Sequence, residues 1–243
     1  MQVPVKITPD RIRDSIVQVF FQSSVPTEAF VGVFYQQLTN LGWKYANRPN
    51  EAVPSKGLMI EFANSTQHFF LKEEVRFQLN NNHSVAFNCN NNYIGWKQYS
   101  VYIKEVLDNI FKSGIIISFV RIGIRYISEF PGIDILEKLK FRISVPNQEK
   151  ISNSSYRLAF DDDDIVKTVN IASKIPARTS FIDQDAEIQF VSLLDIDVVK
   201  KTLSVADPEE LWKELDDLHA MEKEIFFGLL DPDFLKSLSP QYE

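Results

Sequence analysis

The segment Phe119-Val-Arg-Ile-Gly-Ile-Arg-Tyr-Ile-Ser128 decides the fold class of this chain. It is rich in β-branched residues, contains no proline and alternates in character from one position to the next, which is typical of a strand. Ile122, Ile124 and Tyr126 share one face of that strand because side chains alternate along it. We therefore expect the segment to lie near the centre of an antiparallel sheet, with its apolar face packed under a helix.

The segments before this strand alternate between strand and helix signals. Arg11–Phe21 is rich in Ile, Val and Phe and predicts a first strand, and Gly42 ends a helix that begins near Pro26. Tyr93–Ser113 carries an apolar stripe with helical spacing and predicts a second helix. Four strands are predicted between the two helices: Trp43–Asn47, Gly57–Ala63, Gln67–Leu79 and Ser84–Asn88.

The segments after the strand repeat this order. Ile133–Leu139 predicts a short helix, and Asp207–Leu230 predicts a long one whose acidic start suits the helix dipole. Four strands are again predicted between the helices: Lys140–Val145, Tyr156–Asp161, Ile165–Ser173 and Glu187–Asp197.

The order β-α-β-β-β-β-α therefore occurs twice, in residues 1–114 and in residues 115–243. A curved antiparallel sheet of this kind can wrap one long helix and bury its apolar stripe. The sequence thus predicts an α+β protein with antiparallel sheet, composed of two halves that each have the order of the helix-grip or TATA-binding-protein-like fold.

Composition narrows the compartment and the class of partner. The 26 Lys and Arg residues are scattered and are outnumbered by 33 Asp and Glu, giving a net charge of −7. Phosphate binding needs concentrated positive charge, so this balance disfavours a nucleic-acid partner. Cys89 is the single cysteine, which excludes an intramolecular disulfide. With no long apolar segment, we expect a cytoplasmic protein that does not enter a membrane.

The motifs of common enzymes are missing from the sequence. There are eight glycines, with no GxGxxG and no GxxxxGK[ST], and the patterns GxSxG, HExxH and CxxC are also absent. This disfavours a common enzyme but leaves an unusual one open. We assign no catalytic residue and expect neither a cofactor nor a metal.

The candidate binding residues are Arg121 and Arg125. Both lie with Gly123 on the strand face opposite the apolar one, about 13 Å apart at about 3.3 Å per residue. One interpretation is a site for an anion or a carboxylate on a partner or ligand. The alternative, which we favour, is that the two arginines form ion pairs with neighbouring strands or with the other half of the protein.

Acidic residues offer a second candidate site. Asp161–Asp164 are four consecutive aspartates between two strands, and Asp183, Asp185, Asp195 and Asp197 could add carboxylates. Metal binding needs oxygens that converge, whereas consecutive residues of a strand point in alternate directions. We therefore predict a solvated hairpin turn for Asp161–Asp164.

The remaining polar and aromatic candidates have simpler interpretations. His68, His83 and His219 lack a metal-ligand partner at i+3 or i+4, which favours packed or capped histidines. Cys89 lacks a nucleophile signature, which favours a buried side chain. Core packing explains the aromatic residues Trp43, Tyr93, Trp96 and Tyr99. A solvated outer face explains the acidic helix residues Glu209, Glu210, Asp216, Asp217 and Glu222.

Three stretches carry a family resemblance: Tyr93-Ile-Gly-Trp96, Arg121-Ile-Gly-Ile-Arg-Tyr126, and Leu215–Phe227 with the following Leu229–Leu235. Together they resemble a sporadically distributed family of uncharacterised bacterial and archaeal proteins of similar length, and the resemblance covers nearly the whole chain. It implies no activity or cofactor. Its patchy distribution implies an accessory role, such as defence or a toxin–antitoxin-like partnership.

Three functions remain open from the sequence. The first is a non-enzymatic protein-interaction module whose partner is another protein, with a homo-oligomer also open. The second is a helix-grip protein that holds a small apolar or anionic ligand between sheet and helix. The third is a carboxylate-dependent metal enzyme that uses Asp161–Asp164 with Asp195 and Asp197.

Overall fold

The computed structural model describes residues 2–48, 67–80, 83–89, 92–142, 152–176 and 190–242. Nine strands and four helices, with one short 3₁₀ helix at Ile135–Lys138, make up this part of the chain. The strands are β1 (Ile12–Ser23), β2 (Lys44–Arg48), β3 (Gln67–Lys72), β4 (Val75–Asn80), β5 (Ser84–Cys89), β6 (Ile116–Pro131), β7 (Ser154–Asp162), β8 (Ile165–Pro176) and β9 (Phe190–Lys200). The helices are α1 (Thr27–Asn40), α2 (Trp96–Lys112), α3 (Pro208–Leu229) and α4 (Pro232–Ser237).

All nine strands belong to one antiparallel sheet with the order β2-β3-β4-β5-β1-β6-β9-β8-β7. The two longest central strands, β1 and β6, pair from Ile12 opposite Ser128 to Ser23 opposite Ile116, with three irregularities in register. The predicted α+β class and the central position of the Phe119–Ser128 segment are confirmed.

One face of the sheet carries the helices and the core. Phe30 of α1 packs edge-on against Phe21 of β1, with ring centroids 5.4 Å apart. The hydroxyl of Tyr99 in α2 donates to the carbonyl of Ser15 at 3.3 Å, and Leu215 of α3 is fully buried. Aromatic side chains with no exposed surface fill the layer between helices and sheet, which is the dense packing expected of a protein interior.

Two parts of the predicted element order are wrong. Gln67–Leu79 is not one strand, because a turn at Glu73 and Glu74 folds it into β3 and β4. Glu73 has a φ of 51°, a left-handed conformation that glutamate seldom adopts, so the sequence gives no turn signal there. In the second half, Lys140 and Phe141 form a bend and Arg142 is irregular, so these residues do not begin a strand.

Three predicted strands extend beyond the part of the chain that the structure describes, one of them Lys140–Val145, whose last three residues lie outside it. Gly57–Ala63 lies outside it entirely, as does the beginning of Glu187–Asp197. The short helix predicted at Ile133–Leu139 is a 3₁₀ helix that begins at Ile135 and ends at Lys138.

The helix ends follow local chemistry. The carboxylate of Asp207 accepts a hydrogen bond from the N–H of Glu209 at 3.0 Å and caps α3, and Pro208 occupies its first turn. Gly114 follows α2 with a φ of 73°, the left-handed conformation in which a glycine commonly ends a helix. Among the described residues, none of the helices is both long and apolar enough to cross a lipid bilayer.

Phe77 tests the packing of this core. Its ring is fully buried and lies 5.2 Å from that of Phe87 and 6.0 Å from that of Phe34. We expect Phe77→Ala to lower the free energy of unfolding by about 3–5 kcal/mol, because it removes apolar contacts and leaves a cavity. Urea unfolding measures the loss. Val101→Ala is the matched control, since Val101 is 62% exposed and its truncation leaves no cavity.

Candidate functional site

The central strands expose a polar surface on the side opposite the helices. We call it the arginine face and define it by the alternate residues of β1, β6 and β9 that share this side. They are Ile16, Gln18, Phe20, Arg121, Gly123, Arg125, Asp195, Asp197 and Val199. The predicted division of β6 into an apolar and an arginine-bearing face is confirmed, because Ile122, Ile124 and Tyr126 are buried on the other side.

Arg125 is held within the protein by a two-pronged ion pair. Its Nε donates to Oδ1 of Asp195 at 2.7 Å and its Nη2 donates to Oδ2 at 2.8 Å. The Asp195 side chain is 3% exposed, and the Nδ2 of Asn170 donates to it at 3.1 Å. These hydrogen bonds raise the pKa of Arg125 above its ordinary value. Arg125 thus has the intramolecular role that we favoured for both arginines.

Arg121 has a different environment. Its guanidinium carbon lies 5.0 Å from the ring centroid of Phe20, its cross-strand partner, and the residue is exposed. No ion pair joins Arg121 to any other residue in the described ranges. The cation–π contact holds the guanidinium above the sheet while its N–H donors stay available to a partner.

A pocket of about 100 Å³ lies between the two arginines. Gly123 forms part of its floor, and a side chain there would meet the Cγ2 atom of Val199 at 3.2 Å. Asp197 also lines the pocket, and no hydrogen bond reaches its carboxylate from the described residues. Burial raises the pKa of Asp197 above its ordinary value and the neighbouring Asp195 adds to this, whereas the positive charges of Arg125, Arg121 and Arg157 oppose it. The pocket therefore combines an available donor, Arg121, with an available acceptor, Asp197.

The acidic candidates do not converge. Asp161 and Asp162 end β7, and Asp163 and Asp164 form the turn into β8, all four exposed as predicted for a solvated hairpin. Within the described ranges, no three His, Cys, Asp or Glu side chains group closely enough to hold a metal ion. Asp183 and Asp185 lie outside those ranges.

A buried polar cluster lies on the helix side of the sheet. His219 of α3 stacks on Trp96 with ring centroids 4.4 Å apart and lies 5.7 Å from the ring of Tyr126. The hydroxyls of Tyr93 and Tyr126 are 3.1 Å apart. Burial lowers the pKa of His219 to about 3, and its Nδ1 has no hydrogen-bond partner among the described residues. His219 is therefore a packed, neutral histidine, as predicted.

Glu222 corrects one prediction from the sequence. We placed it on the solvated face of the long helix, but it lies one turn from His219 and is 5% exposed. Burial raises the pKa of Glu222 to about 8, and the nearby Lys223 opposes this. The spacing in the sequence indicates this burial, because Leu215, Leu218 and Glu222 follow the three- and four-residue steps of one helix face. The other four acidic residues of that set are exposed.

The other sequence candidates behave as structural residues. The Nδ1 of His68 is 2.7 Å from the hydroxyl of Tyr45, and exposed His83 lies in the turn before β5. Cys89 is buried, which raises the pKa of its thiol. Trp43 is 2% exposed, with its indole N–H donating to Glu105 at 2.9 Å. Core packing accounts for Trp43, as it does for Tyr99, which is fully buried.

A comparison of the chain with protein-family models and with curated protein sequences found no match.

The ion pair of Arg125 predicts a large difference between the two arginines. Arg125→Ala would leave the buried Asp195 carboxylate with one remaining donor, Asn170, so we expect the free energy of unfolding to fall by about 3 kcal/mol. Arg121→Ala removes an exposed side chain, so we expect it to change the free energy of unfolding by less than about 0.5 kcal/mol. Urea unfolding of both variants measures the difference, and equal losses would contradict the assignment.

Glu222 predicts a stability that falls with pH. Its pKa of about 8 in the folded chain lies above the ordinary 4.5, so the folded state holds the proton more tightly. The resulting stabilisation is complete below pH 4.5 and is lost as the pH rises through 8. The lowered pKa of His219 reduces the free energy of unfolding only as the pH falls below 6.5, the ordinary pKa of histidine. Measurements above pH 6.5 therefore isolate the contribution of Glu222.

Between about pH 6.5 and 8.5 we expect the free energy of unfolding of the native protein to fall by about 2 kcal/mol. Glu222→Gln should remove most of this dependence, because an amide keeps the shape of the protonated acid and cannot ionise. Urea unfolding at both pH values measures it. Glu224→Gln, at an exposed position of the same helix, is the matched control and should keep the native profile.

Proposed function

We propose that this protein is a non-enzymatic protein-interaction module that receives a partner on its arginine face. The observation that supports the proposal is that the two arginines differ in their environments: one is ion-paired within the chain and the other is exposed. The buried Asp195 holds Arg125 at 2.7 Å, while exposed Arg121 lies over Phe20 beside a pocket. A guanidinium that is held in place and forms no ion pair with the described residues suits a carboxylate of another molecule.

The charge of this surface supports a protein rather than a nucleic acid as the partner. Asp195 and Asp197 lie among the arginines, so the arginine face has mixed charge. Nucleic-acid binding depends on concentrated positive charge that neutralises phosphates. A protein segment can offer a carboxylate to Arg121 and an N–H donor to Asp197 at the same time. The partner that fits is therefore an acidic, extended segment of another protein.

The duplicated helix-grip architecture belongs to this proposal. The strands β1 to β5 with α1 and α2, and the strands β6 to β9 with α3, lie on either side of the β1–β6 junction. We propose that residues 1–114 and 115–243 are two halves of one fold, the second with a 3₁₀ helix in place of α1. The family resemblance adds an accessory role in bacterial defence or a toxin–antitoxin-like pair. The free Cys89 agrees with a cytoplasmic location.

The observations favour the interaction module over the two alternatives. A helix-grip ligand site needs a cavity between sheet and helix, but Tyr99, Ile103 and Ile110 of α2 are fully buried where that cavity would lie. A carboxylate-dependent metal enzyme needs converging acids, but Asp195 binds Arg125 while Asp161–Asp164 are exposed at a hairpin. The groove between Lys167 and α3 is open to solvent rather than enclosed between sheet and helix, and no three acidic side chains converge among the described residues.

Site-specific photo-crosslinking tests the proposal. A photoreactive amino acid replaces Ile16, which lines the pocket, and the chain is expressed in its native cells. We expect a discrete crosslinked protein whose attached peptide, identified by mass spectrometry, is rich in Asp and Glu. The same substitution at exposed Val101 on α2 should not capture it.

Charge reversal at Arg121 completes the test. We expect Arg121→Glu in the Ile16 crosslinking chain to abolish the product, because two carboxylates would then repel each other. The melting temperature should stay within about 2 °C of the native value, because the residue is exposed. The matched control is Lys97→Glu, the same charge change at an exposed position of α2, which should keep the product. A product that survives Arg121→Glu would overturn the proposal.

A further inference from the structure

In the part of the chain that the structure describes, the strand β7 forms an edge of the sheet with which no further strand pairs. It is last in the strand order and pairs with β8 in unbroken register from Ser154 opposite Ser173 to Asp162 opposite Ile165. Proteins usually protect such an edge with a proline, a lysine, a bulge or a covering element. β7 contains no proline, no lysine and no bulge, and most of its residues are exposed. A long regular edge of this kind is a template for another strand.

The side chains of β7 are apolar on one face. Tyr156, Leu158 and Phe160 share the helix side of the sheet, and Leu158 is 36% exposed while Phe160 is 55% exposed. Lys167, the cross-strand partner of Phe160, lines an open groove of about 220 Å³ beside α3. Apolar side chains along a free edge favour burial against a second strand.

The sequence of β7 is complementary to itself in one antiparallel register. We propose that β7 pairs with β7 of a second copy of this chain about a two-fold axis at Ala159. Arg157 of each copy then lies opposite Asp161 of the other, and Leu158 lies opposite Phe160. Both pairs occur twice, as a two-fold axis requires. Opposite charges and apolar pairs that face each other across strands stabilise a sheet.

Backbone hydrogen bonding agrees with this register. The turn Asp163–Asp164 makes a two-residue hairpin, so the flanking Asp162 and Ile165 form a hydrogen-bonded pair. Hydrogen-bonding direction alternates along a strand, so the backbones of Arg157, Ala159 and Asp161 point away from β8. These are the residues that the proposed axis brings opposite one another.

The charges of β7 favour a second copy over an unrelated strand. Arg157 is exposed and forms no ion pair among the described residues, although its charge acts on Asp197. Asp161 has one ion pair, an exposed contact with Lys201 at 2.6 Å. A carboxylate can accept from two cations, so Asp161 can keep Lys201 and bind Arg157 of the second copy. If the axis moved by one residue, Ala159 would lie opposite Arg157 or Asp161. No residue of one β7 strand would then form an Arg–Asp pair with a residue of the other β7 strand.

Opposite charge reversals provide the test, measured by sedimentation velocity over a wide concentration range. The native chain should show a monomer–dimer equilibrium. Arg157→Asp places two aspartates opposite each other twice, and Asp161→Arg places two arginines opposite each other twice. We expect either variant alone to weaken the dimer about tenfold or more. An equimolar mixture of the two should dimerise about as well as the native chain, because every pair in the mixed dimer is again Arg opposite Asp.

Controls separate this pairing from misfolding and from general charge effects. Each variant should keep the native circular dichroism spectrum, since both residues are exposed. Lys97→Asp makes the same change in charge as Arg157→Asp at an exposed position of α2 and should dimerise like the native chain. A native chain that is monomeric at every concentration would overturn the proposal. So would a dimer that the two variants leave unchanged, or a mixture that stays monomeric.

Discussion

The pairing of β1 with β6 is the constraint on which the rest of the structure depends. It joins a strand near the start of the chain to one near its middle, and every other strand is added outward from this pair. Its register also determines which residues lie on the helix side. A shift of one residue would exchange the two faces, placing Arg121 and Arg125 in the core and Ile122 in water. The burial of Ile122, Ile124 and Tyr126 therefore fixes the register and creates the arginine face on the opposite side.

The two faces differ in how they satisfy polar groups. On the arginine face, Asp195 is buried and depends on Arg125 and Asn170 for its hydrogen bonds. On the helix face, Glu222 is buried with no hydrogen bond from the described residues, and its carboxyl is neutral below a pKa of about 8. A buried carboxylate must either find a cation or take up a proton. Asp195 pairs with a cation and Glu222 takes up a proton. The same chemical group is therefore an ion-paired carboxylate on one face and a neutral carboxylic acid on the other.

Sequence periodicity identified the long elements because their burial is regular. The stripe of α2 and the alternation of β6 follow directly from one-sided packing, and both were predicted close to their observed limits. The hairpin at Glu73 and Glu74 was not predicted, because tertiary pairing imposes a left-handed conformation on a residue that does not favour it. The strand order was also inaccessible, because the pairing of β1 with β6 is long-range. The two arginines looked equivalent in sequence, and only the position of Asp195 on β9 distinguishes them.

A sheet has two kinds of unsatisfied surface, its uncovered face and its unpaired edge, and this protein has both on one continuous element. The arginine face belongs to the central strands, whereas β7 is separated from β6 by β9 and β8. A two-fold axis through paired edges runs perpendicular to the sheet, so both arginine faces of a β7-linked dimer would point to the same side. An extended partner could then engage two Arg121 side chains at once, and the second contact would form at a high effective concentration. Edge pairing would in this way strengthen binding at the central face without adding a contact to it.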